Sequence, residues 1–166
     1  MRPFNDDGHD FIKTVSTSVL EASKRGDFAK VQVAKPSRKE KGPPPEPKHV
    51  PVPPTISHFV MNLPASAIEF LHNFGGIYTG QEQLFEPHTV TKLPLVHVHC
   101  FATKADDDTP YVEILQRLEK ELGITLTRGP NDGDVDIQFV RDVAPAKSMF
   151  CVSFRIPADM AFARSS

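Results

Sequence analysis

The triplet Asn62-Leu63-Pro64 is the part of the sequence best suited to chemistry. An asparagine amide both donates and accepts hydrogen bonds, so Asn62 can pair with the amide-like edge of a nucleobase. Pro64 stiffens the turn that follows, which favours a single pose of Asn62. The apolar run before the triplet predicts a strand, and ligands of open parallel sheets bind beyond the carboxyl ends of strands. Taken alone, the triplet is a weak signal and is more typical of a simple strand-to-helix turn.

Other reactive residue types give weaker signals. His97 and His99 would project from the same face of a strand, but no cysteine or carboxylate stands nearby at ligand spacing. We therefore predict no metal site. No serine or cysteine motif accompanies a histidine, which argues against a histidine-assisted nucleophile. Cys100 and Cys151 both lie in apolar runs and are predicted to be reduced, buried thiols.

Composition narrows the class of protein. The chain has 166 residues, 16 prolines and a formal net charge of −2, which indicates one domain or part of one. It lacks the basic field of a nucleic-acid coat protein, although a local patch could still bind RNA. No apolar run is long enough to span a membrane, and the N-terminus has no apolar signal region. We expect an intracellular protein with no membrane or protein partner.

The first half of the chain predicts one helix and one irregular stretch. Apolar residues recur at helical spacing from residue 10 to 25, with Asp10 as the expected N-cap and Gly26 at the end. Eight of the nineteen residues from Pro36 to Pro54 are proline, so neither helix nor sheet is expected there. This Lys-rich stretch is interpreted as an extended or disordered insertion. An inert surface segment, a basic arm that touches RNA and a proline-motif ligand are all open.

The second half predicts strand–helix units. Residues 58–63 read as a strand buried on both faces, with Pro64 in the first turn of a helix that ends at Phe74. Residues 93–102 and 109–122 repeat the pattern, and Gly123 closes the second helix. Alternation of period two then predicts two antiparallel strands joined near Ala144–Lys147. The expected class is α/β, a parallel sheet with a terminal antiparallel β-hairpin, as at the end of the class I (Rossmann-like) methyltransferase fold.

Three separated segments carry a family resemblance. Met61–Leu71 contains the Asn-Leu-Pro triplet, Phe4–Ile12 contains an acidic Asp-Gly motif, and Val140–Pro157 covers the hairpin. In their order along the chain, these segments resemble the tRNA (guanine(37)-N(1))-methyltransferases of the eukaryotic and archaeal type. The resemblance implies the C-terminal half of a SAM-dependent methyltransferase domain. Its parts would be residues 1–27 as the start of the domain, residues 28–55 as the insertion and residues 56–166 as the C-terminal part.

The resemblance also implies roles for individual residues. Asp7 and Gly8 would contact the adenosine part of S-adenosyl-L-methionine, and Asn62 and Pro64 would lie where this donor meets the target guanine. Arg141 and Lys147 would contact backbone phosphates of tRNA, although both could simply be solvated hairpin charges. Asp7 could likewise serve only as a helix-entry residue. The family's compartments would be the cytoplasm, the nucleus or the mitochondrial matrix.

The sequence departs from the family pattern at two positions and over a larger region. His9 stands where arginine is usual, and Ala146 stands where asparagine is usual. The family's Gly-rich loop, the acid that binds the donor ribose and the region that docks tRNA have no counterpart in this sequence. The family's catalytic carboxylate belongs to the parts that have no counterpart in this sequence, so no general base can be nominated. Glu69 is a candidate by residue type only and is expected to face solvent.

Three interpretations follow. The first is a segment of an enzyme that methylates N1 of guanosine 37 in tRNA, acting as part of a longer chain. The second is an inactive, truncated half-domain. The third is the related aminocarboxypropyl transferase of wybutosine synthesis, which Pro64 disfavours because that family usually lacks this proline. We predict that the isolated chain is poorly soluble or oligomeric, because the strand before Asn62 would expose an apolar edge. We also predict that it transfers no methyl group by itself.

Overall fold

The fold centres on a mixed four-stranded sheet in the order β3-β4-β6-β5. The computed structural model describes residues 4–31, 46–129 and 134–164. The strands are β3 (His58–Met61), β4 (Leu95–Thr103), β5 (Asp136–Ala144) and β6 (Lys147–Arg155). β3 and β4 are parallel, whereas β6 is antiparallel to both β4 and β5. The α/β class and the terminal antiparallel hairpin are confirmed.

One face of the sheet carries the hydrophobic core. The strand β4, which lies between β3 and β6, alternates half-buried and buried residues along its length. The helix α3 (Thr109–Leu122) and the 3₁₀ helix Ala67–Phe74 pack against β4 and against each other. Fully buried apolar side chains from the strands and helices fill the space between them: Leu71, Phe74, Val96, Val98, Ile114, Leu118 and Val152. The apolar residues that alternate along the strands and those that recur at helical spacing thus pack against each other in one layer.

The N-terminal helix α1 (Gly8–Lys24) begins three residues earlier than predicted. Its N-cap is Asp7, whose carboxylate accepts a hydrogen bond from the His9 amide at 2.8 Å, and not Asp10, which lies in the first turn. The end at Gly26 is confirmed: Gly26 has φ +72°, and Asp27 N donates to Ala22 O at 3.0 Å. This is a Schellman ending, in which glycine adopts the left-handed conformation without a steric cost.

The proline-rich stretch is more ordered at its ends than predicted. β1 (Phe28–Val31) pairs antiparallel with β2 (Lys48–Pro51) in a separate two-stranded sheet whose residues are all exposed. The prediction of no sheet between Pro36 and Pro54 was therefore wrong for residues 48–51. Pro51 is tolerated in an edge strand when its nitrogen, which carries no hydrogen, faces solvent and not a partner strand. Residues 32–45 lie outside the described part of the chain, and the division into three segments stays a prediction.

Two further predictions need correction near Asn62. β3 is not buried on both faces, because Phe59 is buried whereas Val60 is 68% exposed. The reason is that β3 lies at the edge of the sheet, with β4 as its one described neighbour. Pro64 lies in a turn and not in a helix, since the helix begins at Ala67 and is of the 3₁₀ type.

The remaining elements agree with the sequence or are short. α3 and its end at Gly123, with φ +69°, are confirmed. The hairpin is confirmed, with Pro145 and Ala146 as its two-residue turn. The short helices are α2 (Thr89–Lys92), α4 (Ala158–Ala161) and the 3₁₀ turn Glu82–Leu84. Within the described ranges, no helix is both long and apolar enough to cross a membrane.

Candidate active site

The Asn62–Pro64 turn lies at the carboxyl ends of the two parallel strands. Leu63 O accepts hydrogen bonds from the backbone amides of Ser66 at 3.0 Å and Ala67 at 2.8 Å, which closes the turn. Pro64 O accepts from Phe101 N at 3.2 Å, which ties the turn to the end of β4. Asn62 is exposed, and its side chain has no hydrogen-bond partner among the described residues. The amide thus lies beyond the strand end with no partner among the described residues, and its role in binding a ligand stays a prediction.

A cleft of about 350 Å³ opens beside this turn. Its walls come from four places in the chain: the turn itself, the end of β4, the middle of α3 and the hairpin turn with the start of β6. The residues are Pro64, Ala65, Phe101, Ala102, Thr103, Glu113, Arg117, Ala146 and Lys147. The structure therefore brings Lys147, a predicted RNA contact, into the same cleft as Pro64. Lys104 N donates to Ala146 O at 3.1 Å and holds the hairpin turn in place.

The two charged residues of α3 in this cleft are engaged with the backbone of β4. Glu113 Oε2 accepts from Thr103 N at 3.0 Å, and Arg117 donates to Phe101 O at 2.6 Å. The two side chains also form an ion pair at 3.7 Å. By contrast, Lys147 makes no ion pair with any described residue, and its Nζ lies 5.3 Å from the centroid of the Phe101 ring. The lysine is consequently the cation of the cleft that an anionic ligand can reach.

The acidic motif packs behind the turn. A Cβ added to Gly8 would lie 2.9 Å from Cε1 of Phe70, so glycine permits the start of α1 to approach the 3₁₀ helix closely. His9 stacks on Phe70 with ring centroids 4.2 Å apart, and its Nδ1 is 2.8 Å from the buried Asn73 amide nitrogen. Although histidine replaces the family's usual arginine here, it makes a stacking contact of its own.

The structure does not join Asp7 or Gly8 to Asn62 directly, since no hydrogen bond links them in the described ranges. The 3₁₀ helix Ala67–Phe74 connects the two motifs. It follows the Asn62 turn, and its Phe70 packs against Gly8 and His9. Asp7 is exposed, and one carboxylate oxygen caps α1. Its helix-entry role is therefore observed, while its second oxygen has no partner in the described structure.

Arg141 is not part of the cleft. It lies exposed on β5, at the outer edge of the sheet and opposite Met149. Glu69 is exposed, as expected from its position in the sequence. Neither residue contacts Asn62 in the described structure, so a role for either in binding or proton transfer remains a prediction.

A histidine cluster occupies the face of the sheet opposite the hydrophobic core. His97 and His99 project from this face as predicted. The sequence did not predict that His58 Nδ1 would lie 3.0 Å from His97 Nε2, or that His97 Nδ1 would lie 2.8 Å from Ser153 Oγ. Burial, reinforced by His58 and His99, lowers the pKa of His97. Among the described residues, no group of three or more histidines, cysteines and carboxylates is arranged to hold a metal ion.

Both cysteines are free. Cys100 is buried as predicted, and burial raises the pKa of its thiol to about 11. Cys151 is only half-buried, because its side chain lies on the face of β6 opposite the hydrophobic core. The prediction of two buried thiols was therefore wrong for Cys151. Burial raises its pKa as well. Neither thiol is activated as a nucleophile, since nucleophilic cysteines have lowered pKa values.

Comparison with curated proteins identifies relatives along almost the whole chain. The chain is 64% identical over 165 residues to the tRNA (guanine(37)-N(1))-methyltransferase of Fusarium vanettenii and 55% identical over 165 residues to that of Neurospora crassa. It is 38% identical over 168 residues to the protein of the same name from Schizosaccharomyces pombe. These alignments cover 98%, 98% and 99% of the chain. By sequence, the chain is thus related along almost its whole length to proteins of this name. It spans about a third of the length of these relatives, 36%, 35% and 36% respectively.

Two other comparisons add little. No protein-family model matches the chain. The crystal structure of wild-type Trm5b from Pyrococcus abyssi matches 60% of this chain and 24% of that chain at 20% identity, with a TM-score of 0.32. At this TM-score the likeness is too small to support an inference about the site.

Sequence reasoning missed three residues of the cleft: Phe101, Glu113 and Arg117. Phe101 was counted in an apolar strand, and the two α3 residues stand beside the buried stripe at i and i+4. That spacing places both side chains on one side of the helix. Only the docking of α3 against the end of β4 shows that they hold its backbone.

Proposed function

We propose that the chain forms part of an S-adenosyl-L-methionine-dependent methyltransferase that methylates N1 of guanosine 37 in tRNA, acting within a longer chain. The supporting observation is the exposed, unpaired Asn62 amide at the carboxyl end of a parallel strand pair, beside a cleft with an available lysine. The relatives that carry this name are up to 64% identical to the chain. Because the chain covers about a third of them, the activity itself belongs to the proposal.

In this proposal Asn62 pairs with the edge of the target guanine and directs N1 toward the methyl donor. Pro64 supports this role because its carbonyl oxygen is fixed to Phe101 N, so the turn needs little reordering when the base binds. Lys147 contacts a backbone phosphate at the rim of the cleft. Arg141 contacts RNA only if the substrate extends across the hairpin to β5.

Asp7 and Gly8 are assigned to the adenosine part of the donor. They fit this role, since Asp7 is exposed and uses one oxygen to cap α1, leaving the other to accept from the adenine amino group. The donor supplies an electrophilic methyl group. Removal of the N1 proton of guanine requires a base, and none of the described residues is assigned to that step.

The two alternatives make different demands. An inactive half-domain would bind neither donor nor tRNA productively in any context. The aminocarboxypropyl transferase would move a larger group from the same donor. The relatives compared above are all named as methyltransferases, which favours methyl transfer. We also propose an intracellular location, in the cytoplasm, the nucleus or the mitochondrial matrix.

The test uses a chimaera in which residues 1–166 replace the matching 165 residues of the Fusarium vanettenii relative. We expect tritium transfer from labelled S-adenosyl-L-methionine to a tRNA with guanosine at position 37, and none to a tRNA with adenosine there. Asn62→Ala should lower kcat/KM about 100-fold, because the base loses its fixed orientation. Gln138→Ala, an exposed amide on β5, should change nothing.

The isolated chain provides the counterpart of this experiment. We expect no methyl transfer by residues 1–166 alone. Turnover by the isolated chain that disappears in Asn62→Ala would refute this expectation and exclude the half-domain alternative. A chimaera that methylates equally well with Asn62→Ala would contradict the role of Asn62.

A further inference from the structure

Phe101 occupies a position that packing alone does not account for. Its neighbours along β4, Cys100 and Ala102, are buried in the core, whereas Phe101 is half-buried on the opposite face of the sheet and lines the cleft. An aromatic ring that remains partly accessible beside a polar cleft is available to a ligand with a flat apolar surface.

The backbone of Phe101 is fixed on both sides. Its amide donates to Pro64 O at 3.2 Å, and its carbonyl oxygen accepts from Arg117 at 2.6 Å. Two residues further along β4, the Glu113 carboxylate accepts a hydrogen bond from Thr103 N. The backbone that carries the ring is therefore fixed to the Asn62–Pro64 turn, so one RNA strand can present one base to Asn62 and another to Phe101.

The third observation is the charge beside the ring. Lys147 Nζ lies 5.3 Å from the ring centroid and makes no ion pair with a described residue. An aromatic ring next to an available cation is the combination with which proteins bind single-stranded nucleic acid, since the ring stacks on a base and the cation meets a phosphate.

We propose that Phe101 is a base-stacking residue for the RNA substrate, with Lys147 contacting the adjoining phosphate. The proposal rests on the function proposed above and specifies how the same site takes its substrate, as an unpaired base of a loop and not as a duplex. A simpler alternative is that the Lys147 stem only covers the Phe101 ring.

The experiment uses the chimaera described above, in which residues 1–166 stand within the Fusarium vanettenii relative. Its ligand is an anticodon stem-loop RNA in which 2-aminopurine replaces a loop base beside guanosine 37. Stacking on the ring quenches 2-aminopurine fluorescence. We expect binding with quenching by the chimaera that carries the wild-type chain. Phe101→Leu should weaken binding about 5- to 150-fold, the usual range for the loss of one stacked base, and should abolish the protein-dependent quenching. Phe101→Trp should preserve both.

Two matched variants separate the contributions. Phe139→Leu removes another exposed aromatic residue of the sheet, one that lies outside the cleft, and should leave binding unchanged. Lys147→Gln should keep the quenching at saturation and reduce the slope of log Kd against log salt by about one charge, because it removes a phosphate contact and not a stacking surface. Circular dichroism of each variant checks that the fold is retained.

The outcomes distinguish the two proposals. Wild-type binding that is not quenched, or that persists unchanged in Phe101→Leu, overturns the stacking role and leaves the RNA substrate in place. The same holds if Phe101→Trp behaves like Phe101→Leu. Absence of any RNA binding by the chimaera that carries the wild-type chain overturns the stacking role and also contradicts the assignment of RNA contacts to this segment.

Discussion

The two edges of the four-stranded sheet are built differently. β3 has four residues, pairs with β4 in regular register and exposes Val60 at 68%. β5 has nine residues, two register shifts and charged side chains at Arg141 and Asp142. Bulges and charges discourage an edge from pairing with another strand, whereas a regular apolar edge invites it. The hairpin edge is thus protected, and the edge that carries the Asn62 turn is not.

The largest expected difference between the edges concerns their anchoring to the core. Phe59 of β3 is buried and contacts Phe74 edge to face, with ring centroids 4.9 Å apart. Phe59→Ala should lower the free energy of unfolding by about 3 kcal/mol. Phe139→Ala on β5, where the ring is 55% exposed, should cost under about 1 kcal/mol. Urea unfolding of both variants measures the contrast, and equal losses would show that the edges are anchored alike.

The next effect concerns self-association. If the unprotected edge makes the isolated chain oligomeric, Val60→Lys should place a charge on that edge and raise the dissociation constant of the oligomer about tenfold or more. Val140→Lys adds the same charge to β5, where the side chain is 42% exposed, and should have little effect. Sedimentation velocity over a range of concentrations measures both. A monodisperse wild-type monomer that unfolds cooperatively would contradict the predicted oligomerisation outright.

The smallest effect is a pH dependence confined to one edge. The hydrogen bond between His58 and His97 joins β3 to β4, and burial lowers the pKa of His97. The folded chain therefore resists protonation of His97. Its contribution to stability is complete above the ordinary histidine pKa of about 6.5 and is lost as pH falls through the lowered pKa.

Hydrogen-exchange protection factors of β3 should accordingly fall from pH 7.5 to pH 5.5. Those of β5 should not change, since Lys104 and Ser148 lower the pKa of Asp142, which stays ionised throughout. His97→Gln should remove the pH dependence of β3, and His88→Gln, which alters an exposed histidine, should retain it. Equal loss of protection at both edges would exclude a local origin in the histidine pair.

The sequence predicted the elements well where local chemistry decides them. The stripe Ile114–Leu118–Leu122, with Gly123 after it, defined α3, and strict alternation defined the hairpin strands. Prediction from the sequence failed for features that depend on tertiary contacts. A four-residue apolar run reads the same at the centre of a sheet and at its edge, so the exposure of Val60 could not be predicted. Asp7 and Asp10 are both good caps, and the close approach of Gly8 to Phe70 distinguishes them only in three dimensions.

The candidate site was predictable in part for the same reason. Asn62 and Pro64 stand in one triplet, and their place beyond a strand end follows from local pattern. The walls of the cleft come from residues up to 83 positions apart, Pro64 and Lys147. Their meeting depends on β6 lying between β4 and β5, an order that periodicity does not encode.

That strand order also has a consequence for the time course of folding. The second edge of β4 is completed by β6, which is synthesised more than forty residues later. While the ribosome makes residues 104–146, the amides of β4 that will face β6 have no partner strand. The two-residue turn at Pro145–Ala146 allows β5 and β6 to pair locally and to join β4 together. Lys147 can therefore join Pro64 and Phe101 in the cleft only after β6 has been synthesised and has paired with β4.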